Sequence, residues 1–171
     1  MDKEDLLREL NAARPLNLFS LYTAQQAEYL ALVGTEISEL SSSWGDGALI
    51  DGEELVRCTG LFWLWVLGAY EVLRTMDQNA ECFATGLQQR IKAEKQIIAQ
   101  IRMPFAKQEL NRRGGPVYAE LSVTGFEKGP YYDIGGERFR LPEVIGRFLD
   151  LMNSIGPENI LQEIPARRTT D

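Results

Sequence analysis

The sequence predicts a mainly helical fold: a bundle of about five helices, with a small antiparallel β-hairpin or sheet (about 117–141) before the last of them. Three observations carry that expectation. Two long stretches repeat apolar residues at 3,4,3,4 spacing, the period of one helix face. Residues 61–70, LFWLWVLGAY, are apolar on every side. A single later segment, behind Gly114-Gly115-Pro116, switches to the alternation of a strand. The 171 residues suit one domain, expected over residues 1–157 with a tail at 158–171. A hydrophobic share of 44% and a charged share of 25% supply enough apolar surface for a core and argue against disorder.

Residues 2–13 read as a short helix with acids in its first turn, where they complement the helix dipole, and Pro15 stops it. A second helix is expected from Thr23, which stands three residues before Gln26 in capping-box spacing, to residue 42. Its seam is Leu30, Val33, Ile37, Leu40 and Trp44, and its other face carries Gln25, Glu28, Glu36 and Glu39. After Gly45-Asp46-Gly47, Asp51 and Glu54 repeat the capping-box spacing ahead of the central helix, about 52–76. The seam there is Leu55, Cys58, Phe62, Trp65, Ala69, Val72 and Met76, while Leu61, Trp63, Leu64, Val66 and Leu67 make the remaining circumference apolar too. A helix apolar all round is enclosed by protein; Leu61, Phe62, Trp63 and Trp65 are therefore expected in the core or in an interface with another subunit. Gly60 and Gly68, two turns apart, would let a neighbouring helix come close.

A further helix is expected over residues 80–101, with Phe83, Leu87, Ile91, Ile98 and Ile101 buried. Pro104 is expected to kink or restart it. Residues 117–123 alternate as a half-buried strand, and residues 131–141, YYDIGGERFRL, form a hairpin turning at Gly135-Gly136. Pro142 suits the start of the last helix. Its apolar face is Val144, Ile145, Phe148, Leu149, Met152 and Ile155, and Gly156-Pro157 ends it. Ile160, Leu161 and Ile164 are expected to dock the tail.

Between Arg57 and Glu71 lie 13 uncharged residues, fewer than the ~20 of a membrane span. The opening MDKEDLLREL lacks the basic start and apolar run of a secretory signal. A cytoplasmic chain with two buried, reduced thiols at Cys58 and Cys82 is the expectation.

Two chemistries fit the pattern of charges. Net charge is −7, which disfavours nucleic acid as a partner. Within that acidic chain, residues 90–113 hold 7 basic groups against 2 acidic, net +5. Arg90, Lys92, Lys95, Arg102, Lys107, Arg112 and Arg113 could meet an acidic protein or a phosphate-bearing partner, guanidinium groups being suited to bidentate contact. A solvated helix face, paired with the acidic first sixty residues within the chain or across a dimer, is the simpler reading of the same residues. Separately, Glu36 and Glu39 end one helix, and Asp51 and Glu54 start the next. In an antiparallel hairpin the four carboxylates would lie at one end and could hold Mg2+. Helix capping and solvation explain the same residues.

That acidic pattern resembles the Glu-x-x-Glu…Glu-x-x-Asp arrangement of all-helical nucleotide pyrophosphohydrolases of the MazG type. It departs from it in reversing the types at 51 and 54 and in placing them at a helix start. The resemblance implies an Mg-dependent hydrolase. The bundle is also similar in outline to HEPN ribonucleases, whose chemistry rests on an Arg-x(4–6)-His pair. The chain has no histidine, so a bundle of that kind would be non-catalytic. The same lack removes Ser-His and Cys-His nucleophilic pairs and histidine metal ligation. Glu71 and Arg74, with Arg102 near them, could line a pocket or sit at the core rim. Gly114-Gly115 and Gly135-Gly136 are turn glycines without the flanking residues of a phosphate loop. The function expected from all this is a non-enzymatic interaction, regulatory or assembly subunit that self-associates as a homodimer.

Overall fold

The most apolar segment occupies the middle of the architecture. In a computed structural model, which describes residues 2–42, 44, 50–107 and 130–165, the helices are α1 (Lys3–Ala13), α2 (Leu21–Ser42), α3 (Gly52–Gln78), α4 (Thr85–Lys107) and α5 (Leu141–Asn153). Strands β1 (Tyr131–Ile134) and β2 (Glu137–Arg140) form a two-stranded antiparallel sheet just before α5. The chain is thus mainly helical with a small sheet ahead of the last helix.

α2 and α3 form an antiparallel hairpin. Trp65 Nε1 donates to the Leu30 carbonyl at 2.9 Å, and the Cys58 thiol lies 3.9 Å from the Ile37 carbonyl. α4 returns antiparallel along the other flank of α3. The Lys95 ammonium pairs with Asp77 near the C-terminal end of α3, Arg102 lies 4.4 Å over the Tyr70 ring, and Trp63 Nε1 reaches the Phe105 carbonyl at 3.0 Å. α5 and the hairpin cover the inner side. Phe148 meets Trp65 edge-on at 5.3 Å, and Tyr132 stacks on Phe62 at 5.9 Å. Phe105 closes the cluster, edge-on to both Phe62 and Tyr132.

The expected seams are the buried ones. Cys58, Phe62, Trp65, Ala69, Val72 and Met76 of α3 are buried, with Leu55 half-buried, and Leu30, Ile37 and Trp44 are buried beyond α2's half-buried Val33 and Leu40. Two glycines set how closely helices approach. A Cβ at Gly68 would lie 2.9 Å from Leu30 Cδ2, and one at Gly34 would lie 2.8 Å from Ile145 Cγ2 and 3.2 Å from Trp65 Nε1. Gly68 therefore has the role expected of it; at Gly60 nothing lies within 4 Å.

Several boundaries differ from the expectation for local reasons. α2 starts at Leu21, not Thr23. Ser20 Oγ accepts the Thr23 N–H at 3.2 Å, and Thr23 itself is buried. Asp51 does cap α3, its carboxylate accepting the Glu53 N–H at 2.9 Å. α4 starts at Thr85, because Phe83 is extended and bridges to Ile160. The helix then runs through Pro104 to Lys107. Proline removes one backbone hydrogen bond there, but Pro104 is buried and Phe105 is locked among rings, so packing holds the last turn.

The hairpin forms as expected. Gly135 and Gly136 have φ of +62° and +86°, the left-handed pair that a two-residue turn of this hand requires. Tyr132, Ile134 and Phe139 face inward, while exposed Asp133 and Arg138 pair across the strands. The strand expected over 117–123 lies outside the described residues. The tail docks through the Leu161 N–H on the Cys82 carbonyl, 2.8 Å, and the Ile164 N–H on the Phe19 carbonyl, 2.9 Å. Ile160 and Ile164 pack on the core, whereas the Leu161 side chain is exposed.

Candidate interaction face

Side chains on α3 divide into an inner and an outer set. The inner set is the seam. Of the second apolar set, Val66 is buried, Leu61 and Leu67 are half-buried, and Trp63 and Leu64 are exposed by 42% and 57%. Phe62 and Trp65 belong to the core, so of the four residues expected in core or interface, Trp63 stands on the outside. Neighbouring α2 is also apolar on its outer side. The polar face expected there is present in exposed Gln25 and Glu39, but it also exposes Leu21, Tyr22, Tyr29 and Leu32. Among the described residues, seven of the eight exposed large hydrophobic side chains lie on the α2–α3 hairpin, with Val56 completing that group and Leu161 standing apart. Periodicity held a signal for the α2 part: Tyr22 and Tyr29 repeat at seven residues and lead to Glu36. Glu36 pairs with Arg57 of α3, which places this stripe alongside the outer side of α3.

By length and composition α3 is apolar enough to cross a membrane, and a third of its most apolar 18-residue window is buried in the bundle. The core helix of a soluble protein can have the same length and composition.

Two of the four acidic residues, Glu36 and Asp51, have other partners. Glu36 is held by Arg57, and Asp51 is occupied with the α3 cap. Glu39, Asp51 and Glu54 are exposed. Among the described residues no group of three or more Cys, Asp or Glu side chains is placed to hold a metal ion, so Glu36, Glu39, Asp51 and Glu54 do not converge on a Mg2+ position.

Among the described residues the basic segment does not form one surface. Lys95 is spent on Asp77 and Arg102 on Tyr70. Arg90 and Lys92 are exposed but two residues apart, ~200° around the helix axis. Lys107 is exposed at the end of α4, and Arg112 and Arg113 lie outside the described residues. Glu71 and Arg74 pair with each other on the surface. A cleft of about 160 Å³ opens between α2 and α5, lined by Leu16, Ala27, Leu149 and Met152 with Arg14 and Glu28 at its rim. It is smaller than the ~300 Å³ of a typical ligand site, and its two charged groups neutralise each other at 3.0 Å.

Cys58 and Cys82 are both free and buried. Burial pushes the Cys58 thiol from its usual 9.0 up to about 11, which keeps it protonated and unreactive at neutral pH. Burial likewise raises Tyr132 to about 12, with the nearby Cys58 adding to the shift. The consequence for stability has a definite sign. The folded state disfavours both ionised forms, so the stabilisation is complete below pH 9 and is lost as pH rises from 9 through 11 for Cys58 and from 10 through 12 for Tyr132. The Cys58 part amounts to about 2–3 kcal/mol. Urea midpoints between pH 8 and 11.5 are expected to fall over this window, and Cys58→Ala is expected to flatten the 9–11 portion. An unchanged slope in that variant would assign the alkaline loss elsewhere.

Comparison of the chain with protein-family models, with curated proteins and with solved structures found no match.

Proposed function

We propose that the protein is a non-enzymatic assembly subunit that self-associates through the outer face of the α2–α3 hairpin. The carrying observation is the concentration of exposed apolar side chains on two adjacent helices: Tyr22, Tyr29 and Leu32 on one, Val56, Trp63 and Leu64 on the other. Scattered surface leucines are ordinary, but a contiguous apolar patch rimmed by charge marks a contact surface. Here the rim is Glu36 with Arg57 at one end and Glu71 with Arg74 at the other. Tyr and Trp are the residues that supply most contact energy at interfaces for the least entropy. The chemistry available to the chain supports the same reading. There is no histidine, and the two thiols are buried.

Hydroxyl-radical footprinting at low and high protein concentration tests this. Oxidation of Tyr29, Trp63 and Leu64 is expected to drop several-fold as concentration rises, while exposed Leu161 stays constant as the internal reference. Equal labelling of all four positions at every concentration would remove the proposal.

A further inference from the structure

The outer stripe of α3 has an order that a generic sticky surface lacks. Four charged positions, Glu53, Arg57, Glu71 and Arg74, bracket three uncharged ones, Gly60, Leu64 and Leu67. All seven are exposed or half-buried, and they succeed one another at spacings of 4, 3, 4, 3, 4 and 3. This is the heptad repeat by which two helices pack along a shared seam. The signs read acid, base, three uncharged residues, acid, base. Turned end for end about Leu64, the stripe is complementary to itself: Glu53 faces Arg74, Arg57 faces Glu71, Gly60 faces Leu67, and Leu64 faces its own copy. A parallel alignment would set each charge against its like, which disfavours that pairing.

We propose that the occupant of this face is a second copy of the chain, docked α3 against α3 in antiparallel register across a two-fold axis through Leu64. The proposal rests on the reading of this face as a self-association surface and specifies its geometry. An isologous contact of this kind is the commonest form of a homodimer. Gly60 gives independent support. Glycine weakens a helix interior relative to alanine, and the bundle does not require it there, since nothing lies within 4 Å of a Cβ at that position. Opposite Leu67 of the second copy, the missing side chain becomes the hole that receives a leucine knob. The intrachain pairs Arg57–Glu36 and Arg74–Glu71 are exposed. Such pairs hold weakly, and a guanidinium has five donors, enough to serve a second carboxylate. Tyr22 and Tyr29, beside the stripe on α2, would widen the contact toward the ~800 Å² per partner of a stable interface.

The test uses the full chain and combines two readouts. Leu64→Cys places an accessible thiol on the axis, while the native cysteines are buried. Mild oxidation is expected to convert this variant to a covalent dimer. Arg74→Glu is expected to raise the dissociation constant about tenfold, and adding Glu53→Arg in the same chain to bring it back within about threefold of the parent. A chain that dimerises but neither cross-links at 64 nor shows this rescue would overturn the antiparallel register while leaving self-association intact. A chain that sediments as a monomer would overturn both. If that monomer also floats with phosphatidylcholine vesicles, the face belongs to lipid.

Discussion

Trp65→Ala is expected to remove about 4–5 kcal/mol of folding stability. The indole is buried at the junction of three helices. It donates to the Leu30 carbonyl of α2, stacks with Phe62 at 6.1 Å and meets Phe148 of α5 edge-on at 5.3 Å. Gly34, where a Cβ would lie 3.2 Å from the indole nitrogen, has no side chain of its own to fill the space. The cost of the cavity left adds to the lost transfer energy. A domain of this size has about 5–15 kcal/mol to lose, so the midpoint of thermal unfolding should fall by roughly 10–15 °C. Trp63→Ala is the matched control. Its indole is part-exposed and gives up one hydrogen bond, to the Phe105 carbonyl, worth about 1 kcal/mol. Denaturation of both variants at one protein concentration measures the contrast, since self-association makes apparent stability concentration-dependent. Equal losses at 63 and 65 would contradict this division of α3 into an inner and an outer face.

Leu64→Glu is expected to act in the opposite way, on association and not on the fold. Leu64 is exposed in the single chain, and glutamate is a good helix former. The isolated bundle should keep its stability within about 0.5 kcal/mol. In the dimer each substitution counts twice, because the two-fold axis sets the new carboxylates against each other. Removing the central apolar contact and adding like charges should raise the dissociation constant about a hundredfold or more. Analytical ultracentrifugation with circular dichroism on the same samples separates the two effects. A variant that unfolds would place Leu64 in the core instead.

The architecture was legible because the helical seams are long and unbroken. Seven positions from Leu55 to Met76 at 3,4 spacing leave little freedom in how α3 turns its inner side, and Gly-Gly between two short alternating runs specifies its hairpin. Boundaries were less legible where residues of equal local merit compete. Ser20 and Thr23 are both good caps, and only burial of Thr23 decides for Ser20. Pro104 argues locally for a break, and tertiary packing of Phe105 overrides it. Function was less legible for a related reason. Spacing of three or four shows that two side chains share one helix face, but not what lies opposite. Glu36 and Asp51 looked like metal ligands by that rule, and the fold gives one to Arg57 and the other to a backbone N–H. The apolar circumference of α3 showed that two faces need cover; which one the chain itself covers depends on where α5 and the hairpin dock. The stripe at Tyr22 and Tyr29 is hard to read from sequence because intervening glutamines and a glutamate give that side of α2 a polar character.

If another copy of the protein covers the outer face of α3, sedimentation equilibrium of the unmodified chain over the micromolar range will register it. The mass is expected to rise with concentration from 19.3 kDa toward twice that value, and a Leu64→Glu variant is expected to stay at the single-chain mass under the same conditions. A constant 19.3 kDa for the unmodified chain, or a dimer indifferent to Leu64→Glu, would contradict coverage of that face by a second copy.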